Sequence, residues 1–130
     1  MRHLAELRIL LVEDNPDDAE MIRTALESAG LDFSLHTVEL RRELEDALAA
    51  ENWSLVLCDS RLPGYTGTDA FGWIRERLPE VPVVFCSGSG DPGDPAIAGA
   101  IGQGVGLVDK NRLAGLAETV RRALAPDDGD

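Results

Sequence analysis

Acidic residues stand where two apolar runs stop. Arg8-Ile9-Leu10-Leu11-Val12 ends in Glu13-Asp14 and then Asn15-Pro16. Trp53-Ser54-Leu55-Val56-Leu57-Cys58 ends in Asp59, followed by Ser60-Arg61-Leu62-Pro63-Gly64. Short apolar runs bounded by turn residues read as buried strands. In an open α/β sheet the carboxyl ends of the strands converge on a crevice where ligands bind. An aspartate at such an end, with a Pro-Gly turn just beyond it, is expected to be displayed rather than buried. Glu13, Asp14 and Asp59 would then meet, and three carboxylates in one place attract a hard divalent cation such as magnesium. Two further runs end in complementary groups: Pro82–Cys86 leads into Ser87-Gly88, and Val105–Val108 into Asp109-Lys110. Together these ends supply oxygen ligands for a metal, a carboxylate nucleophile, a hydroxyl donor and an ammonium. Phosphoryl transfer onto a carboxylate needs this inventory, because its main demand on a protein is charge neutralisation around the moving phosphoryl oxygens.

The elements that must hold these groups alternate. Apolar runs at 8–12, 33–38, 55–58, 83–86 and 105–108 are separated by segments of helical periodicity. The first helix has a clear start: Asn15 as N-cap, Pro16 at the first helical position, and Asp17, Asp18 and Glu20 near the positive end of the dipole. Ala19, Ile22, Leu26 and Ala29 follow at steps of three and four, and Gly30 ends the helix in a left-handed conformation. Leu40, Leu44 and Leu48 mark the apolar face of a second helix. Ala70, Phe71, Ile74 and Leu78 mark a third, stopping before Pro79. Leu113, Leu116, Val120 and Leu124 mark the last, with Asn111 as its cap and Pro126 beyond its end. Seven glycines fall in the stretch from Gly88 to Gly106, both ends included. Each costs about 1 kcal/mol relative to alanine inside a helix, so a short helix around Pro95–Ile101, or a long loop, is expected there. The order βα repeated five times, with short connections and right-handed crossovers, predicts a parallel sheet with helices on both faces. All 130 residues are expected to form a single domain, with a core at about 8–125 and a short acidic tail at 126–130.

Composition narrows the class. Twelve basic residues against 24 acidic give a formal net charge of −12, which argues against binding nucleic acid through its phosphates. No apolar run approaches the roughly 20 residues that span a bilayer, and the first seven residues lack a secretory hydrophobic segment, so a cytoplasmic protein is expected. His3 and His36 have no ligand-like spacing. Cys58 and Cys86 are too few for a disulfide scaffold. Their strands are expected to be neighbours, so the thiols could lie side by side. Two buried free thiols are nonetheless expected rather than a redox pair.

The stretches RILLVEDNPDDA (Arg8–Ala19), LVLCDSRLPGYTG (Leu55–Gly67), VPVVFCSG (Val81–Gly88) and GLVDK (Gly106–Lys110), in this order and at these spacings, resemble the receiver domains of two-component response regulators. The resemblance implies a flavodoxin-like (βα)5 fold with strand order 2-1-3-4-5. It implies that a sensor histidine kinase or a phosphotransfer protein phosphorylates Asp59 with magnesium as cofactor. Asp14, Asp59 and the backbone carbonyl of Arg61 would bind the metal directly, and Glu13 through a metal-bound water. Ser87, Gly88 and Lys110 would receive the phosphoryl oxygens. The sequence departs from the family at three places. Leu107 stands where many receivers carry the Tyr or Phe that reports phosphorylation. Asn111 follows Lys110 where proline is common, and Gly88 replaces the usual alanine. A chain of this kind would signal through protein contacts or act as a relay or sink for phosphoryl groups, without being an enzyme.

Two rivals predict different residues. A phosphatase of the haloacid-dehalogenase type also uses a strand-end aspartate and magnesium, but has a second acid two residues after its nucleophile. That position here is Arg61, and the nucleophile would sit on the third strand rather than the first. A pure docking scaffold of the same fold would have no need of Glu13, Asp14, Asp59, Ser87 and Lys110 together.

Overall fold

The computed structural model describes residues 7–50, 52–59, 61–62, 64–87 and 106–124. Strands β1 (Leu7–Val12), β2 (Phe33–Val38), β3 (Leu55–Asp59), β6 (Val83–Ser87) and β7 (Gly106–Asp109) form one sheet. Its order is β2-β1-β3-β6-β7, and every pairing is parallel. Numbered within that sheet alone, the order is 2-1-3-4-5, as expected. Strands β4 (Arg61–Leu62) and β5 (Tyr65–Thr66) form a separate antiparallel hairpin after β3, which the sequence reading did not foresee. Helices α1 (Pro16–Ser28), α2 (Arg41–Ala50), α3 (Gly67–Arg77) and α4 (Leu116–Leu124), with a 3₁₀ segment at Lys110–Gly115, complete the described elements.

The central strands β1, β3 and β6 are buried on both faces along most of their length, and period-two alternation sorts their side chains. Leu10 and Val12 of β1 point into a core shared with Leu44, Ala47 and Leu48 of α2 and with Ala70, Phe71 and Ile74 of α3. Ile9 and Leu11 point the opposite way, into a core shared with Ile22 and Leu26 of α1 and Leu116 and Val120 of α4. Helices therefore cover both faces, two on each, among the described residues.

Local signals explain most boundaries. The Asn15 side chain accepts hydrogen bonds from the amides of Asp17 (2.8 Å) and Asp18 (3.3 Å), capping α1. Gly30, at φ +79°, turns the chain after that helix. Helix α3 carries a cap that the apolar pattern did not reveal. Thr66 accepts from the Asp69 amide, and the Asp69 carboxylate accepts from the Thr66 amide, each at 3.1 Å.

Three expectations need correction. Leu40 precedes α2 and is 44% exposed, so it is not part of that helix's buried face. Its amide donates to the Glu43 carboxylate, which stops the helix from extending backwards. The last helix does not start at Asn111: Lys110–Gly115 is a 3₁₀ segment, kinked at Arg112 (φ −137°, ψ 56°), and α4 begins after Gly115. Cys58 and Cys86 do lie on neighbouring strands, but Cys58 belongs to the α2/α3 core and Cys86 to the α1/α4 core. The register pairs Cys58 with Phe85 and Asp59 with Cys86, so the two thiols face opposite sides of the sheet. The segment expected to hold a helix around Pro95–Ile101, the tail at 126–130 and His3 lie outside the described residues.

Candidate functional site

Parallel pairing brings the acidic strand ends together. Val12 is in register with Cys58, so Glu13 and Asp59 are the next residues along adjacent strands. The Glu13 amide donates to the Val38 carbonyl at 2.9 Å, continuing the ladder of β1 with β2 one step past the strand. Leu11 and Leu57 both pack in the α1/α4 core, and alternation puts Glu13 and Asp59 on that same face. Asp14 is one residue further on, where the chain turns into the Asn15 cap.

One carboxylate oxygen from each of Glu13, Asp14 and Asp59 lies within 4.8 Å of the others. Burial divides the three unequally. Glu13 is 3% exposed and Asp59 7% exposed, while Asp14 is open to solvent. This corrects the expectation that Asp59 is displayed: the nucleophile candidate is nearly enclosed, and Asp14 forms the wet edge of the site. Glu13 Oε2 accepts from the Asn15 amide at 3.3 Å, which fixes the carboxylate against the start of α1. The Cys58 thiol donates to the Asp59 carbonyl at 3.3 Å. The donors in the cluster are all carboxylate oxygens, with no sulfur or imidazole among them. That set fits a hard cation that prefers oxygen, as magnesium does, and does not fit zinc.

The remaining expected residues flank this cluster to differing degrees. The backbone of Arg61 opens β4, two residues after Asp59. Ser87 ends β6 and is in register with Asp109, so the chain at Lys110 emerges from the strand beside it. The side chains of Ser87 and Lys110, and all of Gly88, lie outside the described residues. Leu107 is half-buried against the α2/α3 core, in register with Phe85.

Tyr65 is the site neighbour that the sequence reading missed. It is buried in the hairpin that follows Asp59, and its hydroxyl donates to the Glu39 carbonyl at 2.6 Å. Its ring lies 5.3 Å from that of Trp73, which in turn carries the Arg41 guanidinium 4.2 Å from its centroid. Burial pushes the phenol far above its ordinary range, and Cys58, Glu43, Asp14 and Glu39 nearby oppose its ionisation further. Tyr65 therefore remains a hydrogen-bond donor at physiological pH. Two signals could have found this hairpin: Pro63-Gly64 between Leu62 and Tyr65, and the Thr66-x-x-Asp69 capping pattern.

Known proteins share this arrangement of elements. Response regulator protein PilR of Pseudomonas aeruginosa is 35% identical over 128 residues, which cover 95% of this chain and 28% of PilR. The chain thus spans about a quarter of that relative's length. Among solved structures, the receiver domain of the sensor histidine kinase PA1611 from Pseudomonas aeruginosa, with a magnesium ion coordinated in its active site cleft, superposes with a TM-score of 0.76 at 24% identity, covering 92% of this chain and 98% of that one. Response regulator protein TrrA, solved in complex with histidine kinase ThkA and named in a companion structure as from Thermotoga maritima, superposes with a TM-score of 0.74 at 24% identity, covering 92% and 99%. The family described as the response regulator receiver domain matches residues 9–114. That match runs from within the first strand into the 3₁₀ segment after the last one, so it takes in all of the parallel sheet but Leu7 and Arg8, and the chain belongs to the response regulator receiver domain family.

Proposed function

We propose that this chain accepts a phosphoryl group on Asp59 from a sensor histidine kinase, or from a phosphotransfer protein, in a magnesium-dependent reaction. The observation that carries the reading is the convergence of Glu13, Asp14 and Asp59 within 4.8 Å at the ends of adjacent parallel strands. Asp59 Oδ attacks the phosphorus of a phosphohistidine. The P–N bond breaks, the imidazole nitrogen keeps the electron pair, and an acyl phosphate forms on Asp59. Asp14, Asp59 and the Arg61 carbonyl would hold the magnesium ion, with Glu13 behind a bound water. When bound, the cation neutralises charge on the transferring phosphoryl oxygens. Ser87 and the Gly88 amide would donate to one of these oxygens, and Lys110 would pair with another. The near-complete enclosure of Asp59 would strengthen the contacts of its own carboxylate, because little water competes there.

The chain would work as a phosphoacceptor that passes on a state, rather than as an enzyme with turnover on a free substrate. Among the described residues no helix is long and apolar enough to cross a membrane. A cytoplasmic setting, alongside the kinase domains that would supply the phosphoryl group, suits this role. The formal charge of −12 suits a protein partner better than a nucleic acid. Incubation with acetyl phosphate and magnesium tests the reading. Intact mass should rise by one phosphoryl group, and the label should vanish in Asp59→Asn and in chelator. Labelling of Asp59→Asn at the parental rate would show that the acceptor is elsewhere.

A further inference from the structure

The two chain segments that carry the carboxylates are joined a second time, away from the sheet. One end of the link is the Val38–Glu39 segment. Val38 accepts from the Glu13 amide at 2.9 Å, so this segment fixes the acid at the end of β1. The Glu39 and Leu40 amides both donate to the Glu43 carboxylate at 3.0 Å, which pins the same segment to the start of α2. The other end is the hairpin after Asp59. Arg61 pairs with Thr66 and Leu62 with Tyr65, and the turn between them passes through Gly64 at φ +82°. The hydroxyl of Tyr65 bridges the two, donating to the Glu39 carbonyl across 26 positions of sequence. A closed belt results: Glu13, Val38, Glu39, Tyr65, the hairpin, Asp59. The Tyr65 ring is 8% exposed and lies against Trp73, so the hydroxyl has little freedom to swing away.

We propose that Tyr65 is a positioning residue for metal-dependent phosphorylation: its bond to Glu39 holds the hairpin so that the backbone oxygen of Arg61 stays registered with the acidic triad. The inference rests on the reading above, in which that oxygen is a ligand of the cation. A cation with strict octahedral demands penalises a displaced ligand, so holding a backbone carbonyl in place raises affinity without adding a contact. Filling a gap in the core would account for the ring alone. The hydroxyl matters to the site only if the hairpin needs the anchor, and Tyr65→Phe separates the two roles.

The experiment measures initial labelling by acetyl phosphate as a function of magnesium concentration, for the parent, Tyr65→Phe and Gly64→Ala. Tyr65→Phe keeps the ring packing and removes the anchor. Its half-saturating magnesium concentration should rise several-fold, about fivefold if the net value of one hydrogen bond is lost. The maximal rate at saturating magnesium should stay near the parent's, since every group that touches the phosphoryl remains. Gly64→Ala strains the turn at φ +82°, where an added Cβ would meet nothing within 4 Å, and so loosens the same hairpin with the hydroxyl in place. It should shift the same quantity in the same direction, and it decides the question if Tyr65→Phe does not fold. An unchanged half-saturating concentration overturns the inference alone, whatever happens to the melting temperature. A parent chain that takes no label overturns the phosphoacceptor reading, and this inference with it.

Discussion

Neutralising a site residue should make this protein more stable. Asp14 is exposed, and its carboxylate lies within 4.8 Å of those of Glu13 and Asp59. At that distance two unit charges repel by about 0.9 kcal/mol with the screening of bulk water and by about 3.5 kcal/mol at an effective dielectric of 20. Because Asp14 faces solvent, the lower figure is the better guide. Asp14→Asn removes two such repulsions, so it should gain roughly 1–2 kcal/mol in chelator, or about 3–7 °C in melting temperature for a domain of this size. Magnesium offsets most of that difference. At ten times its dissociation constant, a ligand specific for the folded state adds about 1.4 kcal/mol. The parent should gain that amount, and Asp14→Asn, with one donor made neutral, should gain far less. Thermal unfolding followed by circular dichroism, with EDTA and across a magnesium series, gives both numbers. If Asp14→Asn melts below the parent in EDTA, the carboxylates do not strain the fold. If both proteins gain equally from magnesium, Asp14 is not a ligand.

Tyr65 is the sole tyrosine of the chain, so absorbance at 295 nm reports its ionisation alone. Its folded pKa is raised above the unfolded value near 10, so its stabilising contribution is fully present below about pH 10 and falls as pH rises beyond it. Native protein should show no tyrosinate at pH 10.5, whereas protein unfolded in urea should show it there. A native titration matching the unfolded one would mean that the hydroxyl is neither buried nor anchored. The two thiols should also resist crosslinking. Since Cys58 and Cys86 face opposite cores, diamide treatment of folded protein followed by unfolding should leave both titratable, and an intrachain disulfide would contradict the register.

Much of this fold is written in periodicity. The run Ile9-Leu10-Leu11-Val12 is apolar at every position because each face of β1 meets a different pair of helices, and such a run reads as a strand of a parallel sheet. Asn15, Pro16 and Gly30 announce α1 because each answers a local backbone need that no distant contact alters. Features governed by packing between segments were less legible. Leu40 fits a four-residue step with Leu44, yet the Glu43 carboxylate claims its amide and leaves the side chain outside. The thiols looked like neighbours because adjacent strands were foreseen, but pleat and register decide the face. The convergence of Glu13, Asp14 and Asp59 was legible, since it follows from strand ends alone. The burial of Asp59 was not, since a strand end does not show in sequence what packs over it. Tyr65 escaped notice for the same reason: its partner is a backbone carbonyl 26 residues away, and a carbonyl leaves no trace in sequence.

The belt around the acidic triad gives the site two unlike sides. On the β1/β3 side, the Glu13 amide, the Tyr65 hydroxyl and the Thr66–Asp69 cap tie the chain to its neighbours. A bound phosphoryl group can displace little there without breaking several hydrogen bonds at once. On the β6/β7 side, the sheet ends in an edge strand of four residues, and the 3₁₀ segment after it is already kinked at Arg112. Leu107 sits on that strand, half-buried where many receivers place an aromatic ring. A leucine in this register fills space against the core but has no ring to flip and no hydroxyl to redirect. In the proposed mechanism, the free energy of charge pairing between Lys110 and the phosphoryl group must therefore act on backbone rather than on a side-chain rotamer. Gly106 shows how tightly that backbone is opposed: a Cβ there would approach Thr119 Cγ2 of α4 to 3.0 Å. Movement of β7 would thus be felt by α4 directly. In the proposed mechanism the metal ligands would sit on the tied side, and the phosphoryl contacts of Ser87 and Lys110 on the side of β6 and β7. The proposed signal would then leave the site where β7 meets α4.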